Sequence, residues 1–299
     1  MKKYLLSFSF AVLVATTTIA QRTPQASPGA SIVQAVGITD LTVKYSRPGI
    51  KGRSVFGDNS PLAPTGKIWR TGANQATTLE SSTDFTFGDK KVPAGKYALY
   101  SIPDKAKWVV ILNKDVNSSS ESYKETDDIA RVDVSPLAGE FKETFEFTFS
   151  ALSDSTVTMN IEWASVKVPV KISVATHQLT IASLDRAVQD KPEDVQTLQS
   201  AAGYLLLKNQ DLPKALALAD KAIGLKESWS NLWIKAQILD KLGKTAIALP
   251  VAQKALAMGA AAPDGAYNFY KTQISKAITD MQAKVPVKEV AGKGKKKKK

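Results

Sequence analysis

The spacing of the hydrophobic residues changes once along this chain of 299 residues, near Thr176, and this change limits the folds available to it. From Ser31 to about Val174 apolar residues recur at every second position, as they do between Phe145 and Phe149. Such alternation is typical of antiparallel strands with one face on a core and the other in water. Beyond Thr176, Ala, Leu and Lys dominate and the spacing becomes helical. We therefore expect a β-domain followed by an α-helical domain.

The alternating region is divided into short candidate strands by Gly and Pro. Strands are predicted at Ile32–Val36, Leu41–Tyr45, Ala76–Ser81, Phe85–Phe87, Tyr97–Ile102 and Trp108–Asn113, with others at about 145–149, 157–163 and 166–174. The breaker-rich stretch 88–95 is predicted to be a turn. Many short strands favour an antiparallel, jelly-roll-like β-sandwich over a closed barrel. Pro169 lacks an N–H, so the last strand is expected to be an edge strand or to carry a bulge.

The second half is predicted to be six helices with an internal repeat. The helices are expected at about 178–189, 192–208, 211–225, 229–242, 244–258 and 264–283. Small residues recur with one offset, which pairs Ala215 with Ala248 and Ala222 with Ala255. This spacing resembles that of tetratricopeptide repeats, so a tetratricopeptide-like repeat module is expected.

Several residues mark the expected ends of these helices. Pro192 suits a first turn, and Asp264 is a plausible N-cap. Gly243 and Gly259 stand where helices are expected to stop, since Gly readily adopts the left-handed conformation that follows a helix. Pro250 is expected to kink or shorten the helix that contains it.

The first twenty residues have the pattern of a signal peptide. Lys2 and Lys3 precede an apolar stretch from Tyr4 to Val14, and small residues follow up to Ala20. The alternative is an N-terminal membrane anchor, for which the apolar stretch is short. We expect cleavage near Ala20, export to the periplasm or the medium, and no membrane-spanning segment in the mature chain.

The net charge of +12 is concentrated at the two ends. The predicted signal peptide carries +2, the region from Lys284 carries +7, and only +3 is left between them. The Lys-rich tail has no aromatic residue to stack on bases, so a nucleic-acid partner is not expected. The tail is predicted to be disordered and solvated, the alternative being contact with anionic envelope surfaces.

These features divide the chain into five parts. They are a signal peptide at 1–20, a flexible leader at 21–30, a β-domain at 31–175, a helical repeat domain at 176–284 and a disordered tail at 285–299. There is no cysteine, so an exported chain of this kind must rely on packed cores.

Catalytic and metal-binding patterns are weak throughout the chain. His177 is the single histidine, which leaves a zinc site or a Ser-His or Cys-His pair without enough side chains. The glycines at 49 and 52 lack the rest of a phosphate loop. The acidic run Glu121, Glu125, Asp127 and Asp128 does not match a calcium loop and is expected to be a solvated loop. No cofactor is expected, no pair of carboxylates is singled out for glycoside hydrolysis, and catalytic residues cannot be assigned.

The strongest candidate for a binding site is a block of polar residues with little periodicity. It contains Arg47, Arg53, Trp69, Arg70 and Asn74. Arginine can recognise carboxylate or phosphate in a bidentate manner, and Trp can stack on a sugar. The alternative is structural, with the arginines pairing with Asp58, Glu80 or Asp84 to order a long loop.

Several unusual sequence motifs in this part of the chain resemble those of one family, the bacterial exported proteins grouped as domain of unknown function 2911. They are Ser27-Pro-Gly-Ala-Ser, Gln34-Ala-Val-Gly, Val43-Lys-Tyr-Ser-Arg-Pro, Lys51-Gly-Arg-Ser-Val-Phe-Gly, Trp69-Arg-Thr-Gly-Ala-Asn, Val92-Pro-Ala-Gly-Lys-Tyr and Trp108-Val-Val-Ile-Leu-Asn-Lys. The resemblance covers about residues 25–175. It implies a β-domain and an envelope location, and no mechanism.

The function expected from the sequence is binding rather than catalysis. In the leading hypothesis, a groove of the helical repeats holds a protein or peptide partner. The alternative is an enzyme or ligand-binding β-domain that acts on an anionic or glycan ligand through the block of arginines, Trp69 and Asn74. A third hypothesis is a purely structural envelope component.

Overall fold

The structure, a computed structural model, describes residues 23–285. The predicted signal peptide and the Lys-rich tail beyond Val285 lie outside the described residues. The chain divides into two compact units, one ending at Val174 and one beginning at Ala175. The first is made of β-strands and the second of helices, which confirms the predicted order of β followed by α.

The β-unit contains two antiparallel sheets. Its strands are β1 (Gly29–Val36), β2 (Thr39–Ser46), β3 (Phe56–Gly57), β4 (Ala63–Pro64), β5 (Thr77–Ser81), β6 (Phe85–Phe87), β7 (Lys90–Val92), β8 (Gly95–Ile102), β9 (Trp108–Asn113), β10 (Asp128–Val134), β11 (Leu137–Ser150) and β12 (Thr156–Val174). The six-stranded sheet has the order β1-β2-β5-β8-β9-β10, and the four-stranded sheet has the order β11-β12-β6-β7. Strands β3 and β4 form a small parallel pair.

Alternating side chains of the two sheets meet in one hydrophobic core. Leu41 and Leu79 from the six-stranded sheet and Phe147 and Met159 from the four-stranded sheet belong to the same buried cluster. Burial of this apolar surface is the main favourable contribution to folding of the unit. The residues between them face the other side of each sheet, where Ala98 and Tyr100 of β8 and Ile111 of β9 form a second buried cluster.

The strands predicted at 157–163 and 166–174 form one strand, β12. Odd-numbered residues are buried up to Trp163, and even-numbered residues are buried from Val168 onward. The change occurs near Ala164, whose φ of 50° and register shift against β11 mark a bulge. Pro169 lies beyond the last pair with β11, at Lys167, and before the first pair with β6, at Ile172. Pro169 therefore lies outside both paired segments of β12, although β12 is not an edge strand of the sheet.

Some strand predictions were wrong or incomplete. Strand β7 lies within the stretch expected to be a turn, and β1 begins at Gly29, inside the expected flexible leader. Strand β10 was missed because it begins in the acidic run. There the side chain of Asp128 is nearly buried and accepts bonds from Arg131 and Tyr123, so this part of the run is not a solvated loop.

The second unit consists, within the described residues, of six helices. They are α1 (Thr176–Asp190), α2 (Val195–Lys208), α3 (Leu212–Leu225), α4 (Trp229–Lys241), α5 (Thr245–Ala261) and α6 (Gly265–Lys284). The small residues at the predicted repeat positions are buried where the helices pack, among them Ala215, Ala222, Ala248 and Ala255. Within residues 23–285, no helix combines the length and apolar composition needed to cross a bilayer.

The helix ends follow the local signals with two corrections, at Pro192 and Gly259. Asp264 caps α6 through its bond from the N–H of Tyr267, and Gly243 adopts a left-handed φ of 73° just after α4. Pro192 is not in a first turn, because Asp194 is the N-cap of α2. Helix α5 continues through Pro250 and also passes Gly259, which therefore does not end a helix.

Candidate functional site

Arg47 anchors the loop after β2 to strand β11. Its Nε donates to the carbonyl of Phe145 at 3.0 Å, and an Nη donates to Glu146 Oε2 at 2.9 Å. The backbone bonds of the same loop to β11 include Phe145 N to Pro48 O at 2.9 Å. This is the loop-ordering role foreseen in the structural alternative, with Glu146 as the partner instead of Asp58, Glu80 or Asp84.

The other two arginines also hold backbone. Arg53 donates to the carbonyls of Ile50 and Gly49, at 3.0 and 2.7 Å, and so closes the turn that precedes it. Arg70 donates to the carbonyl of Asn74 at 2.6 Å, and its guanidinium lies 3.8 Å from the exposed carboxylate of Glu121. These bonds use much of the donor capacity that the ligand-binding hypothesis assigned to the arginines.

Trp69 belongs to the core and does not face a ligand. Its side chain is buried, with 5% exposure, and its Nε1 donates to the carbonyl of Gly72 at 3.1 Å. The indole lies nearly parallel to that of Trp163, with ring centroids 5.8 Å apart. The expectation that Trp69 stacks on a sugar is therefore wrong, because its ring packs on Trp163 and its N–H is bonded to Gly72 inside the protein.

Asn74 is the member of the block that lines a cleft. It adopts a φ of 58°, and its Nδ2 donates to Ser27 O at 3.0 Å and to Ser46 Oγ at 3.3 Å. The structure thus does not bring the five predicted residues together around one ligand. It distributes them between loop anchors, the core and one edge of a cleft.

The helical unit contains a groove. Helices α2, α4 and α6 line a cavity of about 470 Å³. The contributing residues recur at helical spacing, so each helix presents a single face. They are Gln199, Gly203, Leu206 and Leu207 of α2, Trp229, Ser230, Trp233, Ile234, Gln237 and Lys241 of α4, and Tyr270 and Gln273 of α6.

The lining of the groove combines apolar and aromatic side chains with three amides. Leu207 is 73% exposed and Tyr270 is 39% exposed, whereas Trp233 is buried. The amide groups come from Gln199, Gln237 and Gln273, and no carboxylate is among the described lining residues. Large exposed apolar side chains that lie together mark interaction surfaces in soluble proteins.

One end of the groove is held by a polar contact between helices. The indole of Trp229 donates to Asp264 Oδ2 at 3.1 Å, while Asp264 Oδ1 accepts from the N–H of Tyr267. The backbone bond from Tyr267, followed by the bond from Trp229, lowers the pKa of Asp264 below its usual value. The carboxylate thus stays ionised at neutral pH and fixes the position of a groove aromatic.

His177 connects α1 to α2. Its Nδ1 lies 3.1 Å from the hydroxyl of Tyr204, and its Nε2 lies 2.5 Å from Gln210 Oε1. The imidazole is also stacked on the Tyr204 ring at 5.8 Å. These contacts join the single histidine to α2 and to the loop that follows it.

Comparison with known families concerns the β-unit. Residues 27–172 match the model of a family described as a protein of unknown function, DUF2911. This match supports the resemblance drawn from the sequence, and it ends before the helical unit begins. No curated protein matches the chain.

Proposed function

We propose that this chain is an exported, non-enzymatic binding protein of the cell envelope whose helical unit holds an extended segment of a partner protein. The signal-peptide pattern of residues 1–20 is the support for export, with cleavage near Ala20. The β-unit, proposed to be a jelly-roll-like sandwich, would then be the envelope-resident scaffold.

The observation that carries the proposal is the convergence of α2, α4 and α6 on one apolar groove. The offset of 33 residues between Ala215 and Ala248 places α2–α3 and α4–α5 in equivalent positions. We propose that these pairs are tetratricopeptide-like repeats, in which stacked helix pairs form a concave binding surface. The third helix of the groove, α6, then follows the two repeats.

The chemistry of the groove favours an extended apolar segment as its occupant. Leu207 and Tyr270 offer exposed apolar contact area to side chains of the partner. An amide side chain both donates and accepts, so Gln199 and Gln273 can bond the N–H and C=O groups of an extended backbone. The one charged lining residue, Lys241, already donates to the carbonyl of Leu206 at 3.2 Å.

Site-directed photo-crosslinking tests this proposal in cells that produce the full chain. A photoreactive phenylalanine analogue at position 207 is expected to give a discrete crosslinked protein, because the side chain lies in the groove. The same analogue at Ile247 of α5, which is exposed and outside the groove, is the matched control and should not give that product. Identical products from both positions would contradict the proposal.

The crosslinked segment then serves as a ligand for a binding measurement. We expect Leu207→Glu to weaken its binding at least about ten-fold, since a charge in an apolar contact costs one to a few kcal/mol. Ile247→Glu introduces the same charge elsewhere and should leave the affinity unchanged. Equal affinities of the two variants would show that the groove is not the binding surface.

The alternative function through the arginine block receives less support. Arg47 and Arg53 bond to protein groups, and Trp69 is buried. An anionic or glycan ligand on the β-unit therefore needs a site made of other residues. Of the five residues of the block, only Asn74 lines the cleft of the β-unit, which is a candidate for such a site.

A further inference from the structure

The outer face of the six-stranded sheet carries a polar cleft of about 790 Å³. Its floor is formed by β1, β2, β5 and β8, and the segment 116–119 after β9 forms one wall. Asn74 lies at its edge. The described lining residues include two lysines, several hydroxyl and amide side chains, and no carboxylate.

The two lysines are exposed and unpaired. Lys44 of β2 and Lys96 of β8 both line the cleft, and within residues 23–285 neither ammonium has a hydrogen-bond or ion-pair partner. Glu80 is opposite Lys96 in the register of β5 and β8 but is not part of the lining. The lining therefore carries two positive charges and no negative one, while Glu80 lies beside Lys96 on the same face of the sheet without an ion pair to it.

The spacing of the lysines follows from the sheet. Strand β5 separates β2 from β8, and Lys44 pairs with Thr78 whereas Lys96 pairs with Glu80. Strand spacing and the rise of two residues put the two Cα atoms about 12 Å apart. Because the two side chains start this far apart, a ligand with two anionic groups can contact both ammoniums at once.

The floor contains a hydroxyl without a protein partner. Thr78 is 8% exposed, and its side chain lies on the cleft side of β5, because its neighbour Leu79 belongs to the core. Within the described residues its hydroxyl makes no hydrogen bond. Its oxygen is not among the buried side-chain atoms that lack a partner, so it keeps some exposure and is available to a ligand or water.

The segment 116–119, which forms the wall of the cleft, is held in place by Tyr100 of β8. The Tyr100 hydroxyl lies 2.8 Å from the carbonyl of Ser118 and 2.7 Å from its Oγ. Burial is the main reason that the pKa of Tyr100 is raised, so the phenol stays protonated and can donate. The backbone of Ser118 and its neighbours is thus positioned before any ligand binds.

We propose that this cleft binds a short acidic saccharide, with a carboxylate near each of Lys44 and Lys96 and with sugar hydroxyls bonded to Thr78 and Ser46. Ammonium groups suit carboxylates, and hydroxyl side chains can donate to and accept from sugar hydroxyls. Ser46 Oγ accepts from Asn74, which leaves its own O–H free to donate. A volume of this size is in the range of small-molecule sites.

Calorimetric titration of the full chain tests the proposal with two matched probes. Digalacturonate carries two carboxylates, and galactobiose with the same linkage has the same rings without them. We expect binding of digalacturonate that weakens as salt is added, and no measurable binding of galactobiose. Inorganic phosphate and citrate form a third arm, for which binding weaker than that of digalacturonate is expected.

Variants assign the binding to named residues. Lys44→Gln and Lys96→Gln are each expected to weaken digalacturonate binding by about ten-fold, the effect of losing one charge-assisted bond. Thr78→Val keeps the shape, should weaken binding and should not lower the melting temperature, because the hydroxyl has no protein partner. Lys91→Gln removes an exposed lysine of β7 outside the cleft and should change nothing.

The outcomes separate the parts of the proposal. Equal binding of galactobiose would overturn recognition by charge, and equal binding of citrate or phosphate would overturn recognition of the sugar. Absence of binding for every probe, or a loss with Lys91→Gln as large as with Lys44→Gln, would overturn the site itself. None of these outcomes bears on the helical groove.

Discussion

Substitution of Trp69 by Ala is expected to destabilise the β-unit by about 3–5 kcal/mol, the range for removing a large buried aromatic side chain. The indole packs against Trp163, Trp108 and Phe145 and is nearly inaccessible. Its truncation leaves a cavity and an unpaired carbonyl on Gly72. Hydrogen exchange measured by mass spectrometry on the full chain can follow β-unit and helical peptides separately.

The matched control is Phe141→Ala. Phe141 is also an aromatic residue of the β-unit, in β11, but its side chain is 65% exposed. We expect an effect within about 0.5 kcal/mol, as is usual for surface positions. Equal and small effects of both substitutions would place Trp69 on the surface and would revive its proposed role in ligand stacking.

The sequence predicted the fold well where signals are local. The alternation around Phe147, the N-cap at Asp264 and the left-handed Gly243 each act within a few residues of the element they mark. Strand β10 was missed because it begins in the acidic run, which was interpreted as a loop, although Ala130, Val132 and Val134 alternate with polar residues as in the other strands. A solvent-facing acidic residue such as Asp133 in an edge strand has the same sequence appearance as one in a loop.

The site could not be predicted as well, because its contacts are distant in sequence. Arg47 bonds Glu146, 99 residues away, through a register that no local pattern contains. Lys44 and Lys96 stand at ordinary polar positions of alternating strands, and only the order β2-β5-β8 brings them to one face. The groove of the helical unit likewise depends on helices α2, α4 and α6, which are separated by α3 and α5 in sequence.

The interpretation of Gly259 shows how a local signal can mislead. Gly near the end of an apolar helix pattern usually marks a stop. Helix α5 instead continues to Ala261, and Gly259 is buried where Tyr267 of α6 crosses it. The glycine is required by a close approach between two helices, a reason that the sequence of α5 alone does not contain.

Gly259→Ala is accordingly expected to destabilise the helical unit by about 1–3 kcal/mol, the usual cost of overpacking a core. A Cβ at this position would overlap ring atoms of Tyr267. The ring cannot easily move away, because its hydroxyl donates to Leu256 O at 3.1 Å and the ring contacts Trp229. Hydrogen exchange of α5 and α6 peptides in the full chain measures the loss.

Gly224→Ala provides the control for the intrinsic effect of the substitution. Gly224 lies near the end of α3, and a Cβ there would meet no atom within 4 Å. Replacing Gly by Ala in a helix then stabilises by about 0.5–1 kcal/mol. Opposite signs for the two substitutions are expected, since helix propensity is the same in both and only the contact with Tyr267 differs. Stabilisation by both would mean that α6 does not pack closely on α5, and the groove aromatic Trp229, which contacts Tyr267, would then lack its support.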